Sequence, residues 1–173
     1  VKEIFGYTSY FYPIITSQSV NIGSFNPKTK KQCQAYKKNP KKKFILSKLQ
    51  YLEGTTLNSF VLDKLDKRRL FIYLIDIYNH ILQGLQLLDK SDIVHFDIKG
   101  ENIMFNTKLK NPIIIDFGLS ILKKDLTKNL KKYFYIYAPS YYYWPIEVHF
   151  LNYILHINKS PTKYDIEKIC KEY

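Results

Sequence analysis

The stretch His95-Phe96-Asp97-Ile98-Lys99-Gly100-Glu101-Asn102 puts an acid, a cation and an amide in one polar loop, and Asp116 closes the next apolar run. This set suits phosphoryl transfer, whose loose transition state asks for positioning and charge neutralisation and little covalent help. An acid can orient an attacking hydroxyl and take its proton, a cation can offset charge on the moving group, and oxygen donors can hold magnesium. Asp97, Lys99, Asn102 and Asp116 supply all of these parts. Taken singly, either aspartate would more often be a cap or turn residue. Their joint occurrence with Lys99 and Asn102 favours chemistry.

The elements around this loop must hold it. Leu70, Leu74, Ile77, Ile81, Leu85 and Leu88 recur every three or four residues and predict one long helix before it. Ile93-Val94 and Ile103-Met104-Phe105 flank the loop, and the β-branched run Pro112 to Ile115 ends at Asp116-Phe117-Gly118, so short strands bring residues 95–102 and 116–118 together. Upstream, Tyr10 to Thr16, Ser19 to Phe25 and Phe44 to Leu52 read as strands. Gly54 offers a turn, and a short helix is expected over Leu57 to Leu65. The Lys-dense stretch from Asn26 to Lys43, with Asn-Pro twice, reads as an exposed loop. Leu119 to Tyr143 has no clean period, and residues 144–157 return to helical spacing.

Composition narrows the classes. The 173 residues are 46% apolar and 24% charged, which suits one globular domain or part of one. The net charge of +12 rests on lysine, with Arg68 and Arg69 the only arginines, so specific nucleic-acid reading, which favours arginine, is not expected. Cys33 and Cys170 stand far apart, which excludes a disulfide framework or a cysteine-rich zinc site and suits a reducing, intracellular, cytoplasmic setting. The most apolar stretch is interrupted by Asp76, Asn79, His80, Gln83 and Gln86, so no membrane span is expected.

His95 to Asn102 resembles the catalytic loop of eukaryotic-type protein kinases, and Asp116-Phe117-Gly118 resembles their magnesium-binding triplet. Leu49 to Gly54 is similar to the hinge between their two lobes, the 70–88 helix to the one preceding the catalytic loop, and Ser140 to Glu147 to the end of the activation segment. The resemblance implies an α+β protein-kinase-like fold. Residues 1–53 would be a partial, β-rich N-terminal lobe and hinge, and residues 54–173 a mainly helical, truncated C-terminal lobe. It implies ATP and Mg2+ as cofactors and a protein substrate. Asp97 would be the catalytic base, Lys99 would contact the transferred phosphoryl group, and Asn102 and Asp116 would hold magnesium. Gln50 and Leu52 would meet the adenine edge, Leu49 would be the gatekeeper, and Met104 would lie under the ring. Lys99 at its offset resembles serine/threonine kinases. Ser140 matches a small hydroxyl residue that reaches back to the base and lysine, and His95 is expected to pack against Phe117.

The departures carry expectations of their own. Phe96 replaces an arginine, so a phosphorylated activation loop has no guanidinium to clamp it. The six glycines supply no three-glycine phosphate loop, and the ATP-anchoring lysine is not recognisable. The chain, which begins Val-Lys-Glu, therefore reads as a kinase fragment or a kinase reduced at both ends, with weak or no activity in isolation. Its Lys-, Ile-, Asn- and Tyr-rich composition resembles kinases of large DNA viruses. An alternative is a pseudokinase or kinase-like nucleotide-binding scaffold without turnover, and a small-molecule phosphotransferase is disfavoured by Lys99. The tyrosine-rich stretch from Tyr133 to Trp144 could be a peptide-binding wall or helix packing.

Overall fold

The computed structural model describes residues 1–21, 26–32, 34–39, 41–62 and 66–173, which fall into two compact units. The first is Tyr12–Tyr51. Its strands β1 (Thr16–Asn21) and β2 (Lys43–Lys48) pair antiparallel, with Val20 opposite Phe44. These are the two half-buried positions of the ladder, and the other strand residues are exposed. Between the strands lie two short helices, α1 (Pro27–Gln32) and α2 (Gln34–Lys38), where a loop was expected. The reason is local. Pro27 occupies the first helical turn, where its missing N–H costs nothing, and the Asn26 side chain accepts from Lys28 N at 2.7 Å. Tyr10 to Ile15 forms no strand beyond a single bridge from Phe11 to Ile114. The expected continuation of the first strand over residues 22–25, the end of the helix at 63–65, and Cys33 lie outside the described residues.

The second unit joins Val1–Phe11 to Leu52–Tyr173. The strands β3 (Gly54–Thr56), β5 (Ile103–Asn106) and β6 (Asn111–Ile114) make an antiparallel sheet in the order β3-β5-β6, and β4 (Ile93–Val94) pairs with β7 (Ile121–Leu122). Helix α3 (Leu57–Leu62) follows β3 directly, and α4 (Lys67–Lys90) is the expected long helix. Its six stripe residues are all buried or half-buried, with Ile77 and Leu88 innermost. The short helices α5 (Lys123–Leu126) and α6 (Leu130–Tyr133) precede α7 (Ile146–His156) and α8 (Lys163–Glu172). Thr162 and Asp165 start α8 with a reciprocal capping box.

The core forms where α4 meets the β5–β6 ladder, around Phe11, Leu88, Ile103 and Ile114. Phe11 is fully buried and meets Phe117 edge-on at 5.8 Å. Tyr10 stacks on His80 at 4.5 Å, and its carbonyl accepts from Ile114 N at 2.8 Å. These aromatic contacts are why residues 1–11 pack within this unit, where the sequence reading grouped them with residues 12–53. Gly54 is needed for close approach and not for a turn, since a Cβ there would collide with the Phe105 carbonyl across the β3–β5 ladder.

Candidate active site

The loop from His95 to Asn102 leaves β4 and returns as β5, and hydrogen bonds tie Asp97, Lys99 and Asn102 together inside it. Asn102, 7% exposed, donates from Nδ2 to the Asp97 carbonyl at 2.9 Å and to Asp97 Oδ2 at 2.7 Å. Lys99 Nζ lies 3.1 Å from the same Oδ2. The other carboxylate oxygen, Oδ1, accepts from the Tyr141 hydroxyl at 2.8 Å, and that hydroxyl accepts from Lys99 Nζ at 3.0 Å. Asp97 is itself only 9% exposed, so its charge depends on these three donors. Burial pushes its carboxyl up, but the hydrogen bonds from Tyr141, Lys99 and Asn102 outweigh that and hold it below the ordinary carboxylate value. Tyr141 and Asp97 in turn hold the Lys99 ammonium above its usual range.

His95 is the structural pin that its position suggested. The Asp97 N–H donates to His95 Nδ1 at 3.3 Å, so Nδ1 is the accepting nitrogen and Nε2–H donates to the Ile115 carbonyl at 2.9 Å. Burial pushes His95 below its ordinary value, which keeps it neutral, and its ring rests 4.8 Å from that of Phe117. Ile115 N donates to the Asn102 carbonyl at 2.9 Å, so the residue next to Asp116 is tied both to His95 and to Asn102. The loop and the Asp116 turn thereby share one anchor. Asp116 takes a left-handed conformation (φ 59°) that aspartate tolerates, and its Oδ1 accepts from Gly118 N at 3.1 Å.

Phe96 is strained in a way its residue type does not favour, with φ at 67°. Trp144 offsets this. Its Nε1–H donates to the Phe96 carbonyl at 2.8 Å and its ring stacks on Phe96 at 5.0 Å, while Phe134 meets Phe96 edge-on at 5.5 Å. Aromatic contacts therefore fasten residues 134–144 to the residue beside Asp97, where the sequence has no arginine to do so.

The remaining expected site residues fall as follows. Met104 is half-buried on β5, in register with Thr56 and Ile113, and Leu52 is 8% exposed in the same unit as Asp97. Leu49 and Gln50 are exposed residues of the Tyr12–Tyr51 unit. Ser140 is exposed and the hydroxyl that reaches Asp97 and Lys99 belongs to Tyr141, which corrects the expectation by one residue.

The donor set suits a hard cation. Asn102 spends its amide hydrogens within the loop, which leaves its amide oxygen for a ligand, and Asp116 has a carboxylate oxygen beyond the one used by Gly118. Among the described residues no three His, Cys, Asp or Glu cluster to hold a metal. Two oxygen donors of this kind match the way magnesium is held, with phosphate oxygens and waters completing its shell.

Comparison with known proteins identifies a family. A family model described as protein kinase domain matches residues 28–148. A protein of Acanthamoeba polyphaga mimivirus named as a serine/threonine-protein kinase is 37% identical over 73 residues, covering 40% of this chain and 25% of that protein. Calcium-dependent protein kinase 4 of Plasmodium falciparum is 44% identical over 64 residues, covering 34% of this chain and 12% of the relative. Among solved structures, the twitchin kinase region of C. elegans is 27% identical with a TM-score of 0.39, covering 47% of this chain and 14% of that one. Each match thus spans a quarter or less of the relative's own length.

Proposed function

This chain belongs to the protein kinase domain family, and on that premise we propose that Asp97, Lys99, Asn102 and Asp116 form the catalytic centre of an ATP- and Mg2+-dependent kinase acting on serine or threonine hydroxyls of proteins. The observation that carries the reading is the nearly buried Asp97 carboxylate, fixed by Asn102 and flanked by Lys99 at 3.1 Å.

In this reading Asp97 orients the acceptor hydroxyl through Oδ1 and receives its proton as the oxygen attacks the γ-phosphorus of ATP, with ADP departing. Lys99 directs an N–H to the transferred group and offsets its charge. Magnesium, when bound, neutralises charge on the β- and γ-phosphates. Asn102, through its amide oxygen, and Asp116, through the carboxylate oxygen that Gly118 does not use, would hold it. Within the unit that holds Asp97, Leu52 and Met104 are the residues this reading assigns to the adenine. In this reading residues 54–173 are the large lobe and residues 12–53 the small lobe and hinge, and Val1–Phe11 goes with the large lobe by its packing. No helix among the described residues is long and apolar enough to cross a membrane, and the partner is a protein substrate.

Transfer of labelled phosphate from ATP to a protein or peptide hydroxyl tests this. Activity lost in Asp97→Asn supports it, whereas equal transfer by Asp97→Asn contradicts it. A second reading, a kinase-like module that binds nucleotide without turnover, is motivated by the six glycines, from which no phosphate-cradling loop can be drawn. Nucleotide affinity with no transfer under any condition favours it.

A further inference from the structure

We propose that Tyr141 is a positioning residue of the phosphoryl-transfer site, its hydroxyl closing a ring of hydrogen bonds that sets the Asp97 carboxylate against the Lys99 ammonium. The proposal rests on the kinase reading above and names the residue that holds that site in working order.

The argument is one of counting. A carboxylate offers about four acceptor sites and an ammonium three donors. On Asp97, Oδ2 takes Asn102 and Lys99, and Oδ1 takes Tyr141 alone, so one site on Oδ1 is left for an acceptor hydroxyl. Lys99 gives one N–H to Asp97 and one to Tyr141, leaving one for a phosphoryl oxygen. The ring thus fixes both groups and leaves each with the single valence its role requires.

Tyr141 is itself built in. Its ring lies 5.2 Å from Trp144, nearly perpendicular, and its carbonyl accepts from His149 Nε2 at 3.2 Å. His149 is fully buried and Trp144 is tied to Phe96. The Asp97–Lys99 geometry is therefore maintained by a phenol on an aromatic shelf.

Tyr141→Phe keeps the ring and removes both hydrogen bonds. Two readouts apply. The first is independent of activity: acetylation of the chain by an activated acetate ester, resolved by peptide mass spectrometry. Lys99 is expected to be protected in the wild type. In Tyr141→Phe its reactivity should rise about threefold or more, the effect of half a pKa unit on the neutral amine. Unchanged Lys99 reactivity overturns the ring.

The second readout is transfer from ATP. Here kcat should fall about tenfold to a hundredfold, the loss expected for hydrogen bonds to charged groups, with KM for ATP unmoved. An unchanged or raised kcat overturns the positioning role, as does loss of transfer in Ser140→Ala but not in Tyr141→Phe. If Lys99 responds as expected while the wild type transfers nothing, the ring stands and the kinase reading fails. Should Tyr141→Phe not fold, the Tyr141 hydroxyl proton in the NMR spectrum of the wild type decides: slow exchange with water supports the ring and free exchange overturns it.

Discussion

Asn102 is expected to be a structural linchpin as well as a metal ligand, and the stability of Asn102→Ala in the absence of metal reads the first role alone. The amide donates to the Asp97 carbonyl at 2.9 Å and to the Asp97 carboxylate at 2.7 Å, from a side chain only 7% exposed. A neutral hydrogen bond of this kind contributes about 0.5–1.5 kcal/mol, and one to a charged group about 1.5–3 kcal/mol. Their loss leaves a carbonyl and part of a carboxylate short of donors in a site that water reaches poorly. The expected destabilisation is about 2–4 kcal/mol, a shift of about 1–2 M in the urea midpoint for an m-value of about 2 kcal/mol/M. Trp144 is the one tryptophan of the chain and is 7% exposed beside the loop, so its emission follows unfolding of this unit directly. The Asp97 carboxyl should also titrate higher in the variant, because one of the donors holding it down is gone. A midpoint within about 0.3 M of the wild type, with Asp97 titrating as before, would refute the idea that Asn102 organises the loop.

Gly54→Ala should cost about 1–3 kcal/mol, because the new methyl meets the Phe105 carbonyl and the β3–β5 strands must separate. Faster amide exchange at Phe105 and Asn106 would report it, and wild-type exchange would contradict it. Trp144→Phe keeps an aromatic ring against Phe96 but loses the indole bond to its carbonyl, so a loss of about 1 kcal/mol in thermal stability is expected, and an unchanged melting temperature would contradict it. Asp165 is held down to about 2, chiefly by the Tyr153 hydroxyl. Its folded value lies below the unfolded one, so its contribution is complete above the ordinary carboxylate range and disappears as the pH falls from about 4 towards 2. Asp165→Asn should flatten this part of the acid-unfolding curve, and an unaltered curve would contradict the assignment.

The long helix was legible because six apolar residues at helical spacing have one way to be buried together, and α4 buries or half-buries all of them. The loop was legible because Asp97, Lys99 and Asn102 stand within six residues of one another, and the structure hydrogen-bonds them into one cluster. Other features depended on distances that spacing does not encode. Whether Ser140 or Tyr141 reaches Asp97 is decided by side-chain length and by where Trp144 and His149 hold the backbone. The Asn26-Pro27 pair is both a loop signal and a helix start, and the Asn26 bond to Lys28 N settles it as the latter. The Thr162–Asp165 capping box stands in the sequence, but the apolar spacing after it is too sparse to mark a helix there. Phe11 is buried by a long-range contact with β6, which no local pattern reveals.

The central claim is that residues 97, 99, 102 and 116 serve one metal–nucleotide site. Adding Mn2+ with a non-hydrolysable ATP analogue and recording paramagnetic broadening of the amide NMR signals tests it most directly. The account predicts selective loss of the signals of Asn102, Ile115, Asp116 and Gly118, with those of α8 untouched. Broadening confined to other residues, or none at concentrations that saturate nucleotide binding, would contradict it.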